Sequence, residues 1–284
     1  MTDRWRWLWV LVFLLGCGGG AANTGVDLKQ EAIEFNDAGY QYYRQSRWDL
    51  AQQKFEKALT YNRLIDRRSG IAANLNNLGA IAREQGDLKQ AVTYFQEALA
   101  VNREQGDPAA ICETLNNLGL AYQGQGRLRE ANAAYMEAWD YARRLPPGPL
   151  LALTLTHLGD VARAHKDYML ALNYYHQALM ADTGAKDPRG QALRQERLGR
   201  TFLDLKDYDR AAGYLKAALS EFRRLQDTDG IAATLKDLTQ LALARGDRQE
   251  ADLNGNLLLG IYKTRGQEQE ARELEALLKR GGGR

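Results

Sequence analysis

Five glycines stand forty residues apart without slippage: Gly39, Gly79, Gly119, Gly159 and Gly199. Ala51, Ala91, Ala131, Ala171, Ala211 and Ala251 keep the same step, as do Ala58, Ala98, Ala138, Ala178 and Ala218. Leu78, Leu118, Leu158, Leu198 and Leu238 run one residue ahead of the glycine register, and Phe55, Phe95, Tyr135 and Tyr175 form an aromatic column. A fixed period of this length is the mark of supersecondary units stacked in a row, each burying its apolar face on its neighbours. Within one unit, Ile71, Leu75, Leu78 and Ala82 fall at i, i+4, i+7 and i+11, one face of a helix. A turn at Gln85-Gly86-Asp87 follows, and Leu88, Ala91, Phe95, Ala98 and Leu99 line a second helix. Turns recur at Gly126, Lys166-Asp167, Lys206-Asp207 and Gly246-Asp247. Asp107-Pro108 and Asp187-Pro188 each offer an N-cap followed by proline at the first helical position. The glycine and alanine columns are expected where helix backbones approach with no side chain between them.

The run Leu75-x-x-Leu78-Gly79-x-x-Ala82, then Ala91, Phe95 and Ala98, resembles the tetratricopeptide repeat in its order of large, small and aromatic positions. Leu115, Leu118, Gly119, Tyr122, Ala131, Tyr135 and Ala138 repeat that order. The resemblance covers residues 34–265 in six units and implies an all-α fold, a right-handed α-solenoid of helix–turn–helix repeats. The chain departs from the family pattern in its longer period, in lacking the closing proline of most units, and in its sixth unit. There Thr239 replaces the glycine, Gly255 the aromatic residue and Leu258 the alanine. A terminal unit needs a cap with a polar outer face. Gln267–Lys279 supplies one, with Ala271, Leu274 and Leu278 on one side and charges elsewhere.

The N-terminus reads as an address. Arg4 and Arg6 precede an apolar run, Leu8 to Leu15, too short for the roughly 20 residues a membrane-spanning helix needs. Leu14-Leu15-Gly16-Cys17 resembles the lipobox of bacterial lipoproteins, which implies cleavage before Cys17 and lipid on that cysteine. The expected organisation is a cleaved signal at 1–16, a lipidated cysteine and glycine-rich tether at 17–27, the solenoid at 28–265, and a capping helix with a loose tail at 266–284. Several acyl chains anchor stably where one is marginal. Gly18 stands where an aspartate would resemble an inner-membrane retention signal, so the expected address is the cell envelope, on the periplasmic face of the outer membrane.

Apolar residues at 45% and charged residues at 26% fit a soluble globular chain, and exclude a disordered tail or a polytopic membrane protein. The net charge of +2 supplies no basic field for nucleic acid. No catalytic constellation emerges. His157 and His165 stand about 12 Å apart along a helix, too far for one metal ion, and His176 has no cysteine partner. Cys112 lacks a disulfide partner once Cys17 is lipidated and reads as a small buried residue. Gly124-x-Gly126 follows no strand and reads as a turn. No catalytic residue, metal site or cofactor is expected.

What remains is a surface. In tetratricopeptide folds the first helix of each unit lines a concave groove. The resemblance places there Asn36, Tyr40, Asn76, Asn77, Asn116, Asn117, His157, Arg163, Arg197 and Arg200. An amide carries both a donor and an acceptor, so paired asparagines can hold a peptide backbone whatever its side chains. The other reading is that these asparagines tie neighbouring helices together. A basic clamp for a C-terminal carboxylate is not expected, because Asn76, Ala80 and Asn116 occupy its positions. Arg163, Arg197 and Arg200 give the second half of the groove a basic edge, offset in part by Asp160 and Glu196. The expected function is a membrane-anchored, non-enzymatic scaffold that holds another envelope protein or a peptide segment. The other candidate is a peptide or small-ligand receptor whose superhelix tightens on binding.

Overall fold

The structure is a computed structural model describing residues 27–280. The expected signal segment, Cys17, the expected tether through Val26 and the last four residues lie outside the described residues. Six helix pairs follow one another: α1 (Leu28–Arg44) with α2 (Trp48–Leu64), α3 (Arg68–Glu84) with α4 (Leu88–Gln105), α5 (Pro108–Gly124) with α6 (Leu128–Ala142), α7 (Pro149–Ala164) with α8 (Tyr168–Gly184), α9 (Pro188–Asp204) with α10 (Tyr208–Arg224), and α11 (Thr228–Arg245) with α12 (Arg248–Thr264). A thirteenth helix, α13 (Glu268–Arg280), closes the stack. There is no strand among the described residues. The chain is an all-α solenoid of six helix–turn–helix units with a terminal helix.

The joints are built at half the sequence period. Ser46, Asp66, Gly86, Gly106, Gly126, Lys166, Lys186, Lys206, Gln226, Gly246 and Gly266 all take a positive φ, each twenty residues or forty from the last. A residue there turns the chain back after four helical turns; only glycine does so without a steric penalty. One position in this series, Pro146, cannot adopt it, because its ring fixes φ near −65°. The joint there is remade: α6 stops at Ala142, and α7 starts from Gly148 with Pro149 at its first turn. Aspartates mark the entries. Asp27, Asp87, Asp107, Asp167, Asp187, Asp207, Asp227 and Asp247 each cap a helix by accepting from its first backbone N–H groups.

The glycine column does not bring bare backbones together, as the sequence had suggested. The aromatic ring of the following helix fills the space. A Cβ on Gly39 or Gly79 would stand 2.6 Å from the ring of Phe55 or Phe95, and one on Gly159 would stand 2.5 Å from Tyr175. Gly119 faces Tyr135 in the same way, and Gly199 faces Leu215. All four rings are fully buried. Each buried ring is worth about 1.5–3 kcal/mol, so the glycine is the concession that lets the largest core side chain in. In the sixth unit the sizes are exchanged. Thr239 is buried where the glycine would be, and Gly255 stands where the ring would be. The vacated space over Gly255 admits Leu278 of α13, whose Cδ1 lies 2.7 Å from a Cβ built there. The irregular sixth unit is therefore the socket for the cap.

Curvature follows from which helices touch. α1, α3, α5, α7, α9 and α11 each contact the next member of that series, whereas α2, α4, α6, α8, α10 and α12 do not contact one another. The first helices crowd together on the inner wall and the second helices splay on the outer. The inner wall is concave.

Candidate functional site

The concave wall is composed of first-helix side chains, and it divides into an amide half and a charged half. In the amide half, Asn74 Nδ2 donates to Asn36 Oδ1 at 2.8 Å, and Asn62 Nδ2 on the outer helix donates to Asn74 Oδ1 at 2.8 Å. Asn76 Nδ2 donates to Thr114 Oγ1 at 2.8 Å, which also receives Asn102 Nδ2 at 3.0 Å. Asn116 Nδ2 donates to Thr154 Oγ1 at 2.8 Å. Each of these three inner-wall bonds joins one repeat to the next.

The ten groove residues separate accordingly. Asn116 is 2% exposed and presents no free amide to the trough, and Asn36 is half-buried with its oxygen accepting from Asn74 and Asn77. Asn76 spends its amide N–H on Thr114, and its Oδ1 is buried without a partner. The expectation that Asn116 lines an open groove therefore fails: the next repeat closes over it. Asn77 and Asn117 remain half-buried. Tyr40 is 44% exposed, and its hydroxyl donates to Asn77 Oδ1 at 3.1 Å. His157 is closed off as well, buried and stacked on Tyr135 with centroids 4.9 Å apart. Burial holds its imidazole well below the usual range, at about 4, so it is neutral at physiological pH.

Asp160, Arg163, Arg197 and Arg200 converge in the charged half. Arg163 Nε donates to Asp204 Oδ2 at 2.6 Å, across one repeat. Arg197 lies 3.5 Å from Asp160 and 3.7 Å from Glu196. Arg200 lies 3.3 Å from Glu196 and 3.5 Å from Asp237. Tyr175 donates to Asp160 Oδ1 at 2.7 Å, so the ring that fills the Gly159 notch also positions the groove's central carboxylate. Behind this face, Arg194 and Asp182 form a buried pair at 3.1 Å. Asp237 is buried against Glu196, and desolvation together with that neighbouring carboxyl pushes it up to about 8. Between Arg163, Arg197 and Arg200 lies an open cavity of about 430 Å³.

The comparisons with known proteins agree with this architecture. The tetratricopeptide repeat family model matches residues 31–104 and 110–182, more than half of the chain. The chain belongs to the tetratricopeptide repeat family. No curated protein sequence matches it. Among solved structures, BtubC (BKLC) from P. vanneervenii is 20% identical with a TM-score of 0.64, over 84% of this chain and 92% of that one. Pseudomonas aeruginosa pilF is 20% identical with a TM-score of 0.60, over 88% and 98%. A Rap protein complexed with competence and sporulation factor is 13% identical with a TM-score of 0.67, over 88% and 74%. At these identities the likeness is one of fold.

Tetratricopeptide repeat folds typically serve as interaction scaffolds. Among the described residues no three His, Cys, Asp or Glu side chains are grouped to hold a metal ion. Cys112 is buried, with Sγ 3.5 Å from Thr154 Oγ1, and burial pushes its thiol up, away from the reactive thiolate. The sequence reading allowed that the groove asparagines tie neighbouring helices together, and the structure adds the partners it did not name. Asn74, Thr114, Thr154, Arg194 and Thr234 form a forty-residue column of buried polar residues, and that column was the available signal.

Proposed function

We propose that this tetratricopeptide repeat protein is a membrane-anchored, non-enzymatic adaptor of the bacterial cell envelope that holds an extended peptide segment of another protein in its concave trough. The observation that carries the reading is the row of half-buried polar side chains, Asn77, Asn117, Arg197 and Arg200, on a wall whose deeper polar groups are already tied to one another. Such a wall is preorganised, so little side-chain entropy is lost on binding. The likeness to a Rap protein complexed with competence and sporulation factor supports a bound ligand on this wall. The sequence at Cys17 supports the anchor, with the glycine-rich stretch after it setting effective concentration at the membrane.

Two measurements test it. A peptide array probed with the intact protein should give binders that weaken when Asn77→Ala and Asn117→Ala are combined, with the melting temperature held; binding indifferent to both changes would move the interface off the inner wall. Cys17→Ser should shift the protein from the membrane to the soluble fraction and abolish incorporation of labelled palmitate. The same likeness gives weight to a second reading, a peptide receptor. A receptor would change its radius of gyration in solution scattering when peptide is added; an adaptor would not.

A further inference from the structure

Arg197 carries five N–H donors, yet it donates no hydrogen bond among the described residues; its carboxylate neighbours stand 3.5 and 3.7 Å away. Arg163, on the first helix of the preceding repeat, is different, because its bond to Asp204 is short at 2.6 Å. The two arginines line the same cavity of about 430 Å³, together with Arg200, Lys166, Asp160 and Asp204. Around this cavity Arg163, Lys166, Arg197 and Arg200 outnumber the carboxylates of Asp160, Asp204 and Glu196 by one. A fourth carboxyl, Asp237, lies 3.5 Å from Arg200, and burial beside Glu196 keeps its proton on at neutral pH. The lining of the cavity is thus net positive, and a concave low-dielectric surface concentrates such a field.

We infer that this cavity, between α7 and α9 on the inner wall, is the subsite for an acidic side chain of the bound peptide, received by the guanidinium of Arg197. The inference rests on the peptide-binding reading above and names the peptide's chemistry. An arginine fork matches a carboxylate with two parallel N–H···O bonds, shorter than the long contacts Arg197 now makes. Its present neighbours cannot supply that geometry. Asp160 is held by the Tyr175 hydroxyl, and Glu196 is shared with Arg200. An entering carboxylate therefore adds hydrogen bonds without breaking any that the wall has made. Arg163 and Lys166 at the rim set the approach, and Arg200 stays behind to neutralise Glu196.

The test is a peptide array in matched sets: acidic peptides, the same peptides with Asp and Glu changed to Asn and Gln, and the same peptides with phosphoserine in place of the acid. The intact protein should bind acidic members at least about ten-fold more tightly than their amide partners. Arg197→Gln should erase that discrimination, binding acidic peptides and their amide partners alike, with an unchanged far-ultraviolet spectrum. Arg197→Lys should retain part of it, since charge is kept and the fork lost. Binding with no preference between acid and amide would overturn the subsite and leave the groove reading standing; no binding of any set would overturn both. Tighter binding of the phosphoserine set would replace a carboxylate with a phosphate as the subsite's ligand. Retention of the acidic preference by Arg197→Gln would move the subsite elsewhere.

Discussion

Phe95 occupies the space that a side chain on Gly79 would need: a β-carbon there would lie 2.6 Å from Cε1 of the ring. Both residues are buried in the contact between α3 and α4, and the ring is fully buried. Two effects of a Gly79→Ala change oppose each other. Alanine favours a helix interior by about 1 kcal/mol, and overpacking costs about 1–3 kcal/mol. Overpacking wins here, and a net loss of about 1 kcal/mol or more is expected. Gly213, inside α10, meets nothing within 4 Å, so Gly213→Ala should gain from propensity alone. Thermal melts of the two variants should move in opposite directions; a rise in both would show that the ring contact is loose.

The exchange of sizes between Thr239 and Gly255 predicts where the cap acts. Leu278 seats over Gly255, and Arg248 donates to the carbonyl of Leu278. Leu278→Ala should destabilise by about 2–3 kcal/mol, because a buried leucine leaves a cavity. In a solenoid each unit contacts only its neighbours, so faster amide exchange should be confined to α11–α13. Uniform acceleration through α1–α6 would mean that the stack unfolds as one body.

Much of this was legible before the fold was seen, and the reason is that a solenoid repeats its local chemistry. Registers such as Gly79 and Phe95 recur in sequence because they recur in space. The capping residues Asp107 and Asp187 were readable because capping is local. The fate of Asn116 was not readable. Its neighbour is Thr154 on the next repeat, and whether an inner-wall residue is open or covered depends on how tightly successive first helices stack. His157 fails in the same way, since Tyr135 stacks on it from the preceding unit. Arg163, Arg197 and Arg200 were readable as a basic edge, but not as one locked arginine beside one free fork. Residue spacing determines a face; the distance to a partner 38 residues away determines whether that face is occupied.

Asp237 gives the fold a pH dependence of definite sign. Its folded-state value, pushed up to about 8, stands above the usual carboxylate value of about 3.9 in an unfolded chain. A raised value means that the folded form prefers the proton. The contribution to stability is complete below about pH 4 and is lost as pH rises through about 8. Asp237→Asn mimics the protonated carboxyl at all pH values. Melting temperatures taken between about pH 6 and pH 9 should fall for the native chain and fall less for the variant. Equal slopes would show that Arg200 and Arg197 keep Asp237 ionised.

Arg194 and Asp182 form the one pair of opposite charges in which both side chains are under a tenth exposed among the described residues, at 9% and 1%. Burial shifts each toward its neutral form, the carboxyl upward and the guanidinium downward, and in both groups desolvation is the larger cause, ahead of the attraction between them. Such a pair contributes little net stability, yet removing one partner strands the other at a cost of about 3–5 kcal/mol. The first joint of the same solenoid shows what can replace it. There Asn62 donates to Asn74 at 2.8 Å, with Gly70 against Asn62, just as Gly190 lies against Asp182. Arg194→Asn alone should therefore destabilise severely, because Asp182 is left buried without the partner that offsets its desolvation. Adding Asp182→Asn should restore most of the loss by rebuilding the Asn62–Asn74 arrangement around Gly190. A double-mutant cycle read by urea denaturation measures the coupling. If the double variant is as unstable as the single one, the ion pair itself, rather than the avoidance of a stranded charge, holds the fourth and fifth units together.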